Sequence, residues 1–269
     1  MPTPSAASTK RVVARVRELA ETYEPPSFAH VPSADAALFL CAIDHRTGYR
    51  SPHPVDGRGP FSGSELLWEL GCREERLDPD ALSPASLAAV DGGQVADLFR
   101  VGDETVVDPG ARAALWRELA AGLERDHGGG VEALISAAGG RLGGDDGLIA
   151  LLARYEAFSD PLEKKSFLLA KIAARRGWLE VIDPERWQVC TDNVLMRLAL
   201  RSGLVEPGEV DEVRTATREA WRRIADETGV SPPVLDDLLW EHGREDPDLV
   251  GREAGDLHEP QRPGGMHWY

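Results

Sequence analysis

Hydrophobic and polar positions alternate with a helical period through most of the chain. In KRVVARVRELAETY, Val12, Val13, Val16, Leu19 and Tyr23 fall at helical spacing, after residues 1–9, which are expected to form a flexible tail. Pro25, Pro26 and Pro32 close that helix, and residues 34–43 (ADAALFLCAI) predict a short, almost wholly apolar helix central to the core. Residues 51–64 (SPHPVDGRGPFSGS) form a polar Pro/Gly loop ahead of a short helix, SELLWEL. Asp78-Pro79 and Ser83-Pro84 mark two further helix starts, and Pro109 opens a helix over 111–125. Helical period returns over 131–138 and 148–158, on either side of the glycine-rich run AGGRLGGDDG, and again over 209–227. A last helix opens at Pro232 or Pro233, and only residues 101–107 suggest a strand. The expected fold class is therefore all-α, a two-lobed helical bundle of about ten helices. The expected organisation is a tail over 1–9, an N-terminal lobe over 10–138, a second lobe over 148–245 with the seam at 139–147, and a C-terminal tail over 246–269. That tail ends Met266-His267-Trp268-Tyr269, an aromatic cluster expected to dock.

The most informative stretch runs over 160–205. Asp160, Pro161 and Glu163 stand as N-cap, N1 and N3 of a helix predicted over 161–176 and stopped at Gly177. At 100° per residue, Lys164, Leu168, Lys171 and Arg175 share one stripe bracketed by Phe167 and Ile172, while Lys165 and Arg176 point elsewhere. Lysines on such a stripe can simply snorkel from a half-buried face. Thr191-Asp192-Asn193 then opens a second helix that ends at Gly203, where Asp192 serves as an ordinary N-cap. A lysine 28 residues upstream of that aspartate gives the pair a second meaning. An amine can attack C1′ of a nucleoside as the base leaves, and a carboxylate can stabilise positive charge on the sugar or position a nucleophile. Such a site also needs a pocket for the leaving base. Asp236 and Trp240, at i and i+4 of the last helix, would supply an edge hydrogen bond and a stacking surface, although Trp240 equally suits a core position.

The net charge of −16 argues against a protein that coats nucleic acid through a broad basic surface. Residues 164–201 nevertheless hold eight Lys/Arg against four Asp/Glu, which leaves room for a confined anionic substrate. There is no run of 18 apolar residues and no signal peptide, so a cytoplasmic protein with no membrane partner is expected. Cys41, Cys72 and Cys190 are widely spaced and odd in number, as reduced thiols would be; no cofactor is expected, since an iron–sulfur cluster needs four thiolates. The histidines include His45 and His53 near Asp44 and Asp56, but no His-x3-His or Cys-x2-Cys spacing occurs, so no metal site is expected. AGGRLGGDDG is not a phosphate cradle, because no strand precedes it and no Lys-Ser/Thr closes it.

The run AWRRIADETGVSPPVLDDLLWEHGRE (220–245) resembles the C-terminal signature of the archaeal, AGOG-type 8-oxoguanine DNA glycosylases, a divergent branch of the helix-hairpin-helix glycosylases. ETG-x-x-P and LD-x-LLW are the specific elements. Lys164 with Lys171 seven residues on, and Asp192 with Gly203-Leu204 eleven residues on, also match that family's pattern, and FLCAIDHRTGYR is similar to an early stretch of it. The resemblance implies a Schiff-base role for Lys164, an assisting carboxylate in Asp192, and contacts to an extruded base from Lys171, Asp236 and Trp240. The partner it implies is damaged DNA. The usual glycine-rich hairpin turn that binds DNA phosphate is here Phe158-Ser159-Asp160-Pro161, with an acid and no glycine.

The middle of the chain, from LFRVGDETVVDPGARAALWREL to LIALLARYEAFSDP, is similar in its order of segments to queuosine-salvage proteins, which share that fold and release queuine from its nucleotide. This second resemblance implies hydrolysis of a small nucleotide or nucleoside carrying a modified purine, without DNA. A third expectation from a different class is a non-catalytic helical binding module, holding a partner through the 51–64 loop and the aromatic C-terminus.

Overall fold

The computed structural model describes residues 6–255, 257–260 and 266–268. As expected, the class is all-α: among the described residues there are twelve α-helices and no strand. In chain order these are α1 (Ala6–Ala20), α2 (Ala34–Ile43), α3 (Gly63–Leu77), α4 (Pro84–Leu87), α5 (Gly92–Leu98) and α6 (Pro109–His127). They continue with α7 (Val131–Ala137), α8 (Leu148–Leu152), α9 (Lys164–Arg175), α10 (Asn193–Arg201), α11 (Val210–Thr228) and α12 (Pro232–Gly243). No helix among the described residues is long and apolar enough to cross a membrane.

The chain divides into two units, Ser27–Pro184 with His267–Tyr269, and Met1–Pro26 with Glu185–Met266. The glycine-rich stretch 139–147, where the sequence suggests a seam, lies inside the first unit. Asp183 accepts from the backbone N–H groups of Leu142 (2.8 Å) and Gly143 (2.9 Å), and Ile182 N–H donates to Gly140 O (3.0 Å). The loop is thereby bound to the segment that follows α9.

The first unit is built around α2. Ser33 caps it by accepting from Ala36 N–H at 3.0 Å, and all ten helical residues except Asp35 are buried. An element apolar on every side must be surrounded, and α3, α6, α7 and α9 pack around it. At Gly71 of α3 an added Cβ would lie 2.3 Å from Leu40 Cδ2, so only glycine permits this approach. Trp116 of α6 donates its indole N–H to Phe39 O at 2.6 Å. The start expected at Asp78-Pro79 is a turn; Ser83 caps α4 and Asp91 caps α5 in a capping box with Gln94. The strand expected over 101–107 is a single bridge, Val101 to Glu104, because its polar turn Gly102-Asp103 leaves nothing to pair beyond one residue each side.

The second unit joins α1 with α10, α11 and α12. Trp221 of α11 donates to Leu195 O at 3.1 Å, and Gly243 of α12 lets Leu198 come within 2.6 Å of where a Cβ would stand. Within the stretch expected as a tail over 1–9, α1 starts at Ala6; Ser8 is buried and its hydroxyl donates to Glu253. Residues 1–5 and Tyr269 lie outside the described residues.

Candidate functional site

The helix that carries the lysines starts later than its sequence predicts. Asp160 does cap the chain entry, but by a turn: Oδ1 accepts from Leu162 N–H (3.0 Å) and Oδ2 from Lys164 N–H (3.1 Å). Glu163 takes left-handed backbone angles (φ 53°), which keeps 161–163 out of the helix, so α9 begins at Lys164. Gly177, at φ 75°, ends it as expected.

This start places two consecutive lysines against the C-terminal end of α2. The last carbonyls of a helix have no partner within it, and those of α2 are enclosed in the core. Basic side chains meet them. Lys165 Nζ donates to Ala42 O at 2.6 Å and lies 3.1 Å from His45 Nδ1. Lys164 Nζ donates to Asp44 O at 3.2 Å and to Asp44 Oδ2 at 3.3 Å. Arg112 of α6 reaches Ile43 O, His45 O (2.6 Å), Arg46 O (3.4 Å) and Val107 O (2.7 Å). Cationic groups at this end also complement the helix dipole.

Burial then sets the charge of each group. Lys165 is 0% exposed, and burial, followed by the Lys164 charge, pushes its amine well below the usual lysine range, so the ammonium is disfavoured. Burial also drives the His45 imidazole far down, reinforced by Lys165 and Arg112, and His45 is neutral. Burial lowers the Arg112 guanidinium to about 10, which leaves it charged. For Asp44, burial alone raises the carboxyl. The Lys164 ammonium, with side-chain hydrogen bonds from Ser64, Lys164 and Trp68, outweighs it and holds the group below the usual carboxylate range. Tyr49 Oη and Ser166 Oγ are buried beside this cluster's elements and find no hydrogen-bond partner among the described residues.

Lys171 is buried two turns along α9, and Lys164, Lys165 and Lys171 all act electrostatically on the Cys41 thiol, which burial pushes up. At the chain's other end, His267 Nε2 donates to Glu156 O at 2.8 Å, and its ring centroid lies 6.0 Å from that of His45.

In the second unit Asp192 performs the predicted cap, its Oδ1 accepting from Val194 N–H (2.9 Å) and Leu195 N–H (3.1 Å). Asp236 is buried and accepts from Cys190 N–H at 2.7 Å, which ties α12 to the segment entering α10. Trp240 is half-buried, with the Arg244 guanidinium 4.6 Å from its ring centroid. The three expected residues of this unit thus lie at α12 and the entry to α10, whereas in the first unit Lys164 lies at the end of α2 and Lys171 two turns further along α9.

Asp44, Lys165, His45 and Arg112 were not among the predicted site residues. The available signal was Asp-His-Arg directly after an all-apolar helix, where enclosed carbonyls demand donors; nothing local names α6 and α9 as their source. A separate cleft of about 470 Å³ in the first unit is lined by Glu132, Ile135, Ser136, Leu179, Glu180 and Ile182. Its two carboxylates make it unsuited to a phosphate-bearing ligand.

Chemically, the α2 end offers an amine paired with a buried carboxylate, and the α10 entry offers two carboxylates held by backbone N–H groups. Models of known protein families and curated protein sequences were compared with the chain, and none matches it.

Proposed function

We propose that the chain is an N-glycosylase that cleaves the bond between a modified purine-like base and its sugar, with Lys164 as nucleophile; an assisting role for Asp192 is what the resemblance to AGOG-type glycosylases implies. The observation that carries this reading is the Lys164 amine, 7% exposed and 3.3 Å from a buried carboxylate. A buried, oriented amine is what covalent catalysis at C1′ requires. Its lone pair forms the Nζ–C1′ bond as the glycosidic bond breaks and its electron pair leaves with the base. The new amine loses its extra proton. The C1′–O4′ bond then opens with its electron pair on O4′, which takes a proton, leaving a protonated Schiff base that water can hydrolyse. On this reading Lys171, Asp236 and Trp240 contact the base, as the resemblance to AGOG-type 8-oxoguanine DNA glycosylases implies.

Hydrolysis of a small nucleotide, as in queuosine salvage, is the second reading, and Asp160 favours it. In hairpin glycosylases the turn ahead of this helix offers its N–H groups to a DNA phosphate. Here the protein's own Asp160 carboxylate takes the Leu162 and Lys164 N–H groups. The net charge of −16 points the same way.

Base release from an 8-oxoguanine duplex and from nucleoside 5′-monophosphates of 8-oxoguanine and queuine, followed chromatographically, tests both readings. Wild type should release base from one of these and Asp192→Asn should not. No release from any of them by folded protein removes the glycosylase proposal.

A further inference from the structure

We infer that Asp44 is the positioning residue of the Lys164 amine, its counter-ion in the resting protein and the acceptor of its proton when Lys164 turns nucleophile. The second half rests on the glycosylase reading; the pairing does not.

Geometry supports the pairing from three sides. Lys164 Nζ meets both the carbonyl (3.2 Å) and the carboxylate (3.3 Å) of Asp44, so one residue aims the amine twice. Ser64 and Trp68, both on α3, favour the charged form of the same carboxylate. Asp44 itself ends α2, its N–H donating to Cys41 O at 3.2 Å, so its backbone is fixed by the core helix.

Charge explains why a proton acceptor is needed. An ammonium has no lone pair and cannot attack C1′. Charged and titratable groups around the pair include Lys165 and Lys171 from α9, Arg112 from α6, Cys41 from α2, His45 just beyond its end, and His267 from the C-terminal segment. Arg112 cannot accept a proton. Lys165 and His45 are poor acceptors, since burial first, and neighbouring positive charge second, disfavours their protonated forms. Asp44 is the carboxylate that this unit itself brings to Nζ. Transfer breaks an Nζ–H bond and forms Oδ2–H; because the Lys164 ammonium holds the Asp44 carboxyl below the usual carboxylate range, the neutral pair is the minor state, drawn off only as the amine attacks C1′. The proton returns to Nζ when product leaves.

The test compares wild type, Asp44→Asn and Asp44→Glu. Labelling of Lys164 by acetic anhydride is followed by peptide mass spectrometry across pH, with the exposed Lys10 as internal reference. Losing an opposite charge at this distance should lower the Lys164 labelling midpoint in Asp44→Asn by about one pH unit or more, with Asp44→Glu restoring it and Lys10 unmoved. The acid limb of the base-release profile should move down with the midpoint, which a purely structural role would not cause. An unshifted midpoint in folded Asp44→Asn overturns the inference whatever the base assay gives. A shifted midpoint without base release from any substrate supports the pairing and removes the glycosylase reading, so the two failures are distinct.

Discussion

At the C-terminal end of α2 the groups that meet the enclosed carbonyls are basic side chains drawn from α6 and α9, whereas at the entry to α10 the groups that meet N–H donors are carboxylates. Both follow from the same two facts, that helix ends leave backbone groups unpaired and that the helix dipole prefers cations at one end and anions at the other. The difference is range. Asp192 immediately precedes the helix it caps, while Lys164 and Arg112 reach α2 across 120 and 67 residues of sequence. A cap of the first kind contributes to stability and can be spared; the second kind is the means by which the core helix closes, and it concentrates titratable groups in the buried core.

This contrast can be broken most forcefully at Arg112. Arg112→Met leaves the buried His45 carbonyl without the guanidinium and the Ile43 carbonyl with the His45 N–H alone, and a loss on the order of 3–5 kcal/mol is expected in urea unfolding. Asp236→Ala, which strands the buried Cys190 N–H at the α10 entry, should cost about 1–3 kcal/mol by the same measurement.

Lys165→Met sharpens the comparison through pH. The folded-state amine is depressed by burial, so the unfolded chain binds the proton more readily, and wild-type stability rises with pH up to the free lysine value of about 10.4. Removing the amine removes that rise. Between pH 7 and 9 the stability of wild type relative to Lys165→Met should therefore grow, by up to about 1.4 kcal/mol per pH unit, and equal slopes would show that the amine is charged in the fold.

Smallest is the effect at Asp192. Asp192→Ala should cost about 1 kcal/mol as a lost cap, and Asp192→Asn, which keeps an oxygen acceptor, should cost a few tenths. If Asp192→Asn nonetheless abolishes base release, the carboxylate does more than cap.

The same contrast explains what could be read from the sequence. Local signals were legible: the all-apolar run that became α2, with its bounds intact, the Asp192 cap, and the stops at Gly177 and Gly203 depend only on neighbouring residues. The start of α9 lies at Lys164 rather than 161 because Asp160 caps through a turn that a left-handed Glu163 makes possible, a conformation that composition does not announce. Lys165 was assigned to a direction away from the Lys164 stripe, yet α2 covers that direction too, so both lysines are buried. In the sequence Asp44 stands out only as a neighbour of His45. Its partners come from α3 and α9, and pairwise tertiary contacts of this kind leave no periodic trace.

The central claim is that Lys164 is a working amine. The most direct measurement is sodium borohydride trapping of wild type, Lys164→Ala and Lys171→Ala with an 8-oxoguanine duplex and with the nucleotide substrates, followed by peptide mapping. An irreversible sugar adduct is expected on Lys164 in wild type and in Lys171→Ala, at reduced yield in the latter, and none in Lys164→Ala. An adduct that maps to another residue, or base release that continues undiminished in Lys164→Ala, would contradict it.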